Sequence, residues 1–157
     1  MEGARPATPS DLPHLVDLAT RALAELAPMR GGAVFVQREG RAVPVEETLA
    51  RDLSNPEAVV LAGTIDDTVV GYATGRTETL RDGSLLGVID DLYVDEGARG
   101  VAVGEVMMDE LLVWFRAKGC AGIDATALPG NRATKNFFER SGFTARLLVM
   151  HHRLEPS

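Results

Sequence analysis

The chain holds a single cysteine, Cys120, among 157 residues. One thiol closes no intrachain disulfide and builds no cysteine-based zinc site. Positive charge is scarce as well: 16 lysines and arginines stand against 23 aspartates and glutamates, for a formal net charge of −7. A general nucleic-acid binder needs a basic face to neutralise phosphates, so the balance argues against that class. Long apolar runs are missing; the richest stretch, Val101–Phe115, is broken by Glu105, Asp109 and Glu110, so no membrane partner is expected. Met1 is followed by Glu2 and polar residues rather than by a basic region and an apolar core, which is not the pattern of a secretory signal. The default expectation is a cytoplasmic protein. Internal repeats, low-complexity tracts and linkers are absent too. The remaining composition, 45% hydrophobic and 25% charged, is that of one globular domain spanning residues 1–157.

The chain is organised around Gly87–Phe115. An apolar strand, Leu85–Val94, carries two adjacent acids, Asp90 and Asp91. A Gly-bearing turn follows at Asp95–Gly104, and then a long amphipathic helix on which Val103, Val106, Met107, Leu111, Trp114 and Phe115 share a stripe. A strand that feeds such a turn into a helix N-terminus points free N–H groups outward, and the helix dipole adds positive potential, as phosphate binding requires. Residues Arg99, Gly100, Val101, Ala102, Val103 and Gly104 form that turn, and the small side chains at 100, 102 and 104 let the backbone approach an anion. The stretch is neither a Walker loop nor a Gly-x-Gly-x-x-Gly dinucleotide turn. Alternation in the strand predicts that Asp90 and Asp91 point to opposite faces. Their neighbours are largely apolar, so at least one carboxyl is expected in a partly buried cleft, with its pKa raised toward that of a useful base; the bland alternative is that one Asp caps a loop or pairs with an arginine such as Arg76.

The remaining elements follow from spacing. A first strand is predicted near Arg5–Thr8. A helix is expected over Asp11–Ala27 with Ser10 as N-cap and Pro28 as its stop. Arg30–Arg41 reads as an irregular lip, and Val45–Leu53 as a short helix. Ala58–Gly63 and Thr68–Thr77 flank Asp66-Asp67 as a hairpin. Gly119 stops the long helix, a short strand covers Cys120–Ala127, a helix runs from Arg132 to Arg140, and a last strand is predicted over Phe143–Leu154. The order β α α β β β α β α β describes an α/β (α+β) domain with a mixed sheet, antiparallel early and closed later by a βα crossover. Met108, Leu112 and Val113 widen the apolar surface of the long helix beyond its main stripe, which hints at a further buried face or a homodimer.

Two motifs carry a family resemblance. Arg99, Ala102 and Gly104 fit Gln/Arg-x-x-Gly/Ala-x-Gly/Ala. Asn131, Thr134, Phe137, Phe138, Glu139, Gly142 and Phe143 fit Asn-x-x-small-x-x-Phe-Tyr-Glu-x-x-Gly-Phe. Together, in this order, they resemble the GNAT superfamily of N-acetyltransferases. The resemblance implies a mostly antiparallel central sheet with splayed middle strands, flanked by about four helices. It implies acetyl-CoA as donor, with pyrophosphate on the amides of Arg99–Gly104, pantetheine along Leu92, Tyr93 and Val94, and Asn131 and Phe137 on the far side. The segment Asp-Asp-Leu-Tyr-Val further resembles that of polyamine and small-amine acetyltransferases, which assigns the base to Asp90 first and Asp91 next.

One departure matters. Many members carry a tyrosine where Phe138 stands, and its hydroxyl protonates the departing thiolate. Without it, water, Tyr93 or Tyr72 is left to that task. The implied reaction is direct attack by a small-molecule primary amine on the thioester, with the oxyanion near the strand amides around Val94. The alternatives are acetylation of a protein N-terminus or lysine, and an acyl-CoA-binding module that has lost turnover. Cys120 reads as a small buried side chain, and His14, His151 and His152 are not assigned to catalysis.

Overall fold

A computed structural model describes residues 1–155 of the chain. Its elements run β1 (Glu2–Pro6), α1 (Leu12–Leu26), α2 (Gly32–Arg38), α3 (Val45–Ser54), β2 (Val59–Ile65), β3 (Thr68–Thr79), β4 (Leu85–Val94), α4 (Val103–Lys118), β5 (Cys120–Ala125) and α5 (Arg132–Arg140). The strands form one sheet in the order β1-β2-β3-β4-β5. The first four are antiparallel neighbours, and β5 lies parallel to β4 after the crossover through α4.

Local chemistry explains most boundaries. Asp66 and Asp67 take φ of 48° and 70°, the left-handed pair that a two-residue hairpin needs to match strand twist and that Asp tolerates better than most residues. Gly119, at φ 80°, closes α4 in the left-handed conformation.

Each sheet face has its own core. On one side α4 lays Val103, Met107, Met108, Leu111 and Phe115 against Val59, Leu61, Ala73 and Ile89. On the other, α1 and α3 bring Leu15, Leu18, Ala19 and Leu49 against Val60 and Tyr72. Met108 thus belongs to the core, whereas Val113 is 60% exposed. No helix of the described residues is long and apolar enough to cross a membrane.

The elements depart from the sequence expectation in five places. β1 spans Glu2–Pro6 rather than Arg5–Thr8, because residues 2–6 are the ones that pair with β2. The cap before α1 is not Ser10. A one-turn 3-10 segment, Pro9–Asp11, intervenes, and Asp11 Oδ2 accepts from the Thr8 amide at 2.8 Å in a capping box. Arg5 adds bonds of 2.7 and 2.9 Å to the same carboxyl and, as the largest influence, holds its pKa down at about 2. The lip at 30–41 contains a helix, α2, which brings the α-helices among the described residues to five; contact with α1 overrides its weak propensity. β5 ends at Ala125, two residues short of the expected end. The predicted strand Phe143–Leu154 forms no ladder among the described residues: alternation gives it strand propensity, but it does not pair with the open edge of β5.

Candidate active site

β4 is shared unequally between its neighbours. Its first half pairs with β5 from Leu85↔Cys120 to Ile89↔Ala125, and there the parallel ladder stops. Beyond it, Asp91–Val94 pair only with β3, as Thr74↔Asp91, Ala73↔Leu92, Tyr72↔Tyr93 and Gly71↔Val94. The two middle strands therefore splay. The Asp95 amide donates to Val70 O at 2.7 Å; alternation along the strand then turns the amides of Leu92 and Val94 away from β3, toward the opening. The Val94 carbonyl on that side is already taken, because Arg99 Nε donates to it at 2.9 Å.

The turn opens on the same cleft. Gly100 has φ 91°, a conformation that side chains disfavour. α4 starts behind Ala102 with no side-chain cap. Among the described residues, no acceptor takes the amides of Gly104 and Glu105, whereas the Val106 amide reaches Ala102 O at 3.0 Å. A first turn with free donors and a sixteen-residue helix behind it is built for an anion. A Cβ on Gly104 would lie 3.2 Å from the Phe137 ring of α5, closer than ordinary van der Waals contact. Asn131 caps α5 by accepting from the Thr134 amide at 3.3 Å. Val103 differs from the other turn residues: its side chain is wholly buried in the core, and its amide donates to Val101 O at 2.9 Å.

The acids stand differently from the expectation. Asp91 opposes Thr74 and Ile89 opposes Gly75, so Asp90 is an extra residue, a bulge in β4. Asp90 accepts from Arg76 Nε at 2.9 Å. Asp91 accepts from Tyr72 Oη at 2.9 Å and from Thr74 Oγ1 at 2.5 Å. Tyr72, Thr74 and Arg76 alternate along β3 and share a face. Both carboxyls therefore lie on the α1 side, not on opposite faces, because the bulge cancels one step of the alternation.

Their environments diverge. Asp91 is locked: buried Arg41 donates to its Oδ2 from Nη2 at 2.5 Å and from Nε at 3.1 Å, and the same guanidinium reaches Asp52 at 2.8 Å. Burial opposes the charge on Arg41, but these carboxylates outweigh it and keep its pKa above the ordinary arginine value. Asp90 keeps 37% of its side chain exposed and has one arginine at its side. Desolvation pushes its pKa up, and the hydrogen bond and charge of Arg76 offset that only in part. Tyr72 is pushed well up by burial and then by Asp91. The Tyr93 hydroxyl donates to Glu25 at 3.1 Å, and its pKa is raised first by desolvation and then by that carboxylate. Arg99 donates to the same Glu25 at 2.9 Å, which draws the Glu25 pKa down.

These features surround one cavity of about 620 Å³ that runs from Leu23, Phe35 and Arg41 past Asp90–Val94 to Arg99–Gly104, Asn131, Phe137 and Phe138. Of the two acids and the residues predicted to bind the cofactor, Val103 alone does not line it. Phe138 is buried against Phe137 and Phe143 and presents no hydroxyl. Sequence reasoning missed the role of Arg41: it sits 50 positions from Asp91, and nothing local marks the pair.

Residues 22–143 match the family model described as the acetyltransferase (GNAT) family. No curated protein sequence matches the chain significantly. Among solved structures, a tetramutant of the Bacillus halodurans protein BH1408 superposes with TM-score 0.82 at 20% identity, over 96% of this chain and 99% of that one. The aminoglycoside acetyltransferase meta-AAC0020, from an uncultured soil metagenomic sample and in complex with sisomicin, gives 0.69 at 20% identity, over 99% and 97%. AAC(6')-Iy with a CoA-S-monomethyl-acetylneamine bisubstrate analog gives 0.75 at 16% identity, over 99% of each.

Proposed function

The chain belongs to the GNAT acetyltransferase family, whose members use acetyl-CoA, and on that premise we propose that it transfers the acetyl group to a primary amine of a small molecule. The observation that carries the reading is the single cavity joining the free amides at the start of α4 to the Asp90 carboxylate. The residues fit the donor. Amides of the Arg99–Gly104 turn and of Glu105 hold the pyrophosphate, with Val103 contributing to the turn's shape rather than to contact. The outward amides of Leu92 and Val94 pair with the pantetheine arm, and Phe137 and Asn131 close the far side.

At the acceptor end Asp90 is the base. An amine held there gives up its proton to the carboxylate and attacks the thioester carbonyl, whose developing oxyanion meets the Val94 amide. Asp91, fixed by Arg41, Tyr72 and Thr74, positions the bulge and does not itself take the proton. The leaving thiolate takes its proton from water, because Phe138 offers none and the Tyr72 and Tyr93 hydroxyls are engaged with Asp91 and Glu25. The net charge of −7 and the Asp90 carboxylate favour a cationic amine. The aminoglycoside complexes among the structural neighbours make polycationic amines the first class to try. A cytoplasmic homodimer completes the reading.

The test is a thiol-release assay with acetyl-CoA over a panel of polyamines, aminoglycosides, amino-acid-like amines and peptides. Acceptor-dependent release with a small amine, lost in Asp90→Asn while CoA still binds, is the expected result. Preference for peptides would replace the substrate class. Phe138 favours one other reading, a CoA-binding module: tight CoA binding, no acceptor-dependent release and no effect of Asp90→Asn would establish it.

A further inference from the structure

The face of β3 that meets both acids is polar at four alternating positions, Tyr72, Thr74, Arg76 and Glu78. The first two bind Asp91. Arg76 is paired with Val88, two residues before Asp90, and reaches Asp90 on the diagonal. Its Nε donates to Asp90 Oδ2 at 2.9 Å, and its Nη1 donates to Glu78 Oε2 at 2.6 Å. The guanidinium therefore lies between two carboxylates, one in the cavity wall and one outside it. Neither Arg76 nor Glu78 lines the cavity, so both reach the reacting groups only through Asp90. Among the described residues, the other oxygen of Asp90, Oδ1, accepts no hydrogen bond.

The charges that neighbouring elements turn toward this face have other partners. Arg41 holds Asp91 and Asp52, and the Tyr72 hydroxyl donates to Asp91. Asp124, beside Val88 on β5, is paired with Arg146, and Glu25 of α1 with Arg99. α4 packs on the opposite face of the sheet. Among the described residues, Arg76 is thus the one cation in contact with the Asp90 carboxylate, and Glu78 the one other acid that shares it. Asp90 and Arg76 alone cancel in charge. With Glu78 the three keep one net negative charge, which still attracts a cationic amine.

We propose that Arg76 is the positioning residue of the base and that Glu78 sets how strongly it acts. Arg76 holds Oδ2, which leaves Oδ1 as the oxygen that receives the proton of the acceptor ammonium; the freed lone pair then attacks the thioester. The guanidinium favours the ionised carboxylate, so that proton passes on to water and the base resets. Glu78 offsets part of the guanidinium charge and keeps Asp90 basic enough to act. The inference rests on Asp90 as the base.

The test titrates the Asp90 carboxyl by carbon-13 NMR, with the signal identified by its loss in Asp90→Asn, beside thiol release from acetyl-CoA with spermidine and the rest of the amine panel. Arg76→Gln is expected to move both the titration and the acidic limb of the pH–rate profile up by about half a pH unit. It should also lower kcat about tenfold with KM nearly unchanged. Arg76→Lys returns the charge without the planar grip, so it should restore the limb but not kcat. Glu78→Gln is expected to move titration and limb the opposite way, downward, by a smaller step. Because Glu78 is exposed, that variant decides the matter even where Arg76→Gln fails to fold. A titration that stays in place in these variants, or moves in the same direction in both, overturns the proposal while leaving Asp90 as the base. No turnover of any amine, or release that Asp90→Asn leaves unchanged, overturns the base reading and the proposal with it.

Discussion

At the α4 end of the cavity the groups turned toward a ligand are main-chain amides; at the Asp90 end they are side chains held by partners from other strands and from the segment after α2. The first end needs only small residues and a helix start, all within six consecutive positions. The second needs Arg41, Asp52, Tyr72, Thr74, Arg76 and a bulge in β4 to agree. A backbone-built site fails by obstruction. A side-chain network fails by loss of one member, because a buried charge left behind is costly.

The largest expected effect separates the ends at once. Arg41→Leu leaves Asp91 buried against Tyr72 and Thr74 without its cation, and should destabilise the fold by about 3–5 kcal/mol, read as a lower midpoint in urea or heat. Asp90→Asn should leave that midpoint nearly unchanged but lower kcat/KM by about 10²–10⁴, with CoA affinity by calorimetry unaltered. The pH profile sharpens this. Asp90 must be ionised to act, and its pKa is raised, so activity should fall as pH drops through a limb above the ordinary aspartate range; Asp90→Asn should erase that limb. At the other end Gly104→Val places carbons against the Phe137 ring and over the free amides. CoA binding should weaken by about tenfold or more, with Asp90 chemistry untouched once donor is saturating. The smallest effect lies outside both ends. Asp11→Ala removes the box before α1 and should cost about 1 kcal/mol near neutrality. Because the Asp11 pKa is depressed, that difference should persist above pH 4 and vanish as pH falls toward about 2, where wild type loses the same contribution.

Legibility followed the same division. The hairpin at Asp66-Asp67, the limits of β4 and α5, and the stop at Gly119 are short-range facts, set by turn chemistry and by period. So is the turn Arg99–Gly104, because its small residues and its helix are contiguous. The pairing of Asp90 with Arg76 was legible as an alternative, since a neighbouring strand places them together. The Arg41–Asp91 pair was not: the chain brings it together through α2, whose Gly-bearing sequence hides a helix formed by packing on α1. The bulge was not legible either, because alternation counts residues and has no term for a surplus one. The strand expected at 143–154 had the right pattern and forms no ladder, because alternation records strand propensity and not pairing.

The surplus residue in β4 has a further consequence. Thr74 and Gly75 are consecutive, as Asp91 and Ile89 would be without Asp90. Deleting Asp90 therefore leaves every other pairing between β3 and β4 in register. The shortened chain should fold with a midpoint no lower than that of the full one and release no acceptor-dependent thiol. The candidate base is thus a removable insertion in an otherwise complete scaffold, something a single codon can add or take away without re-threading the sheet.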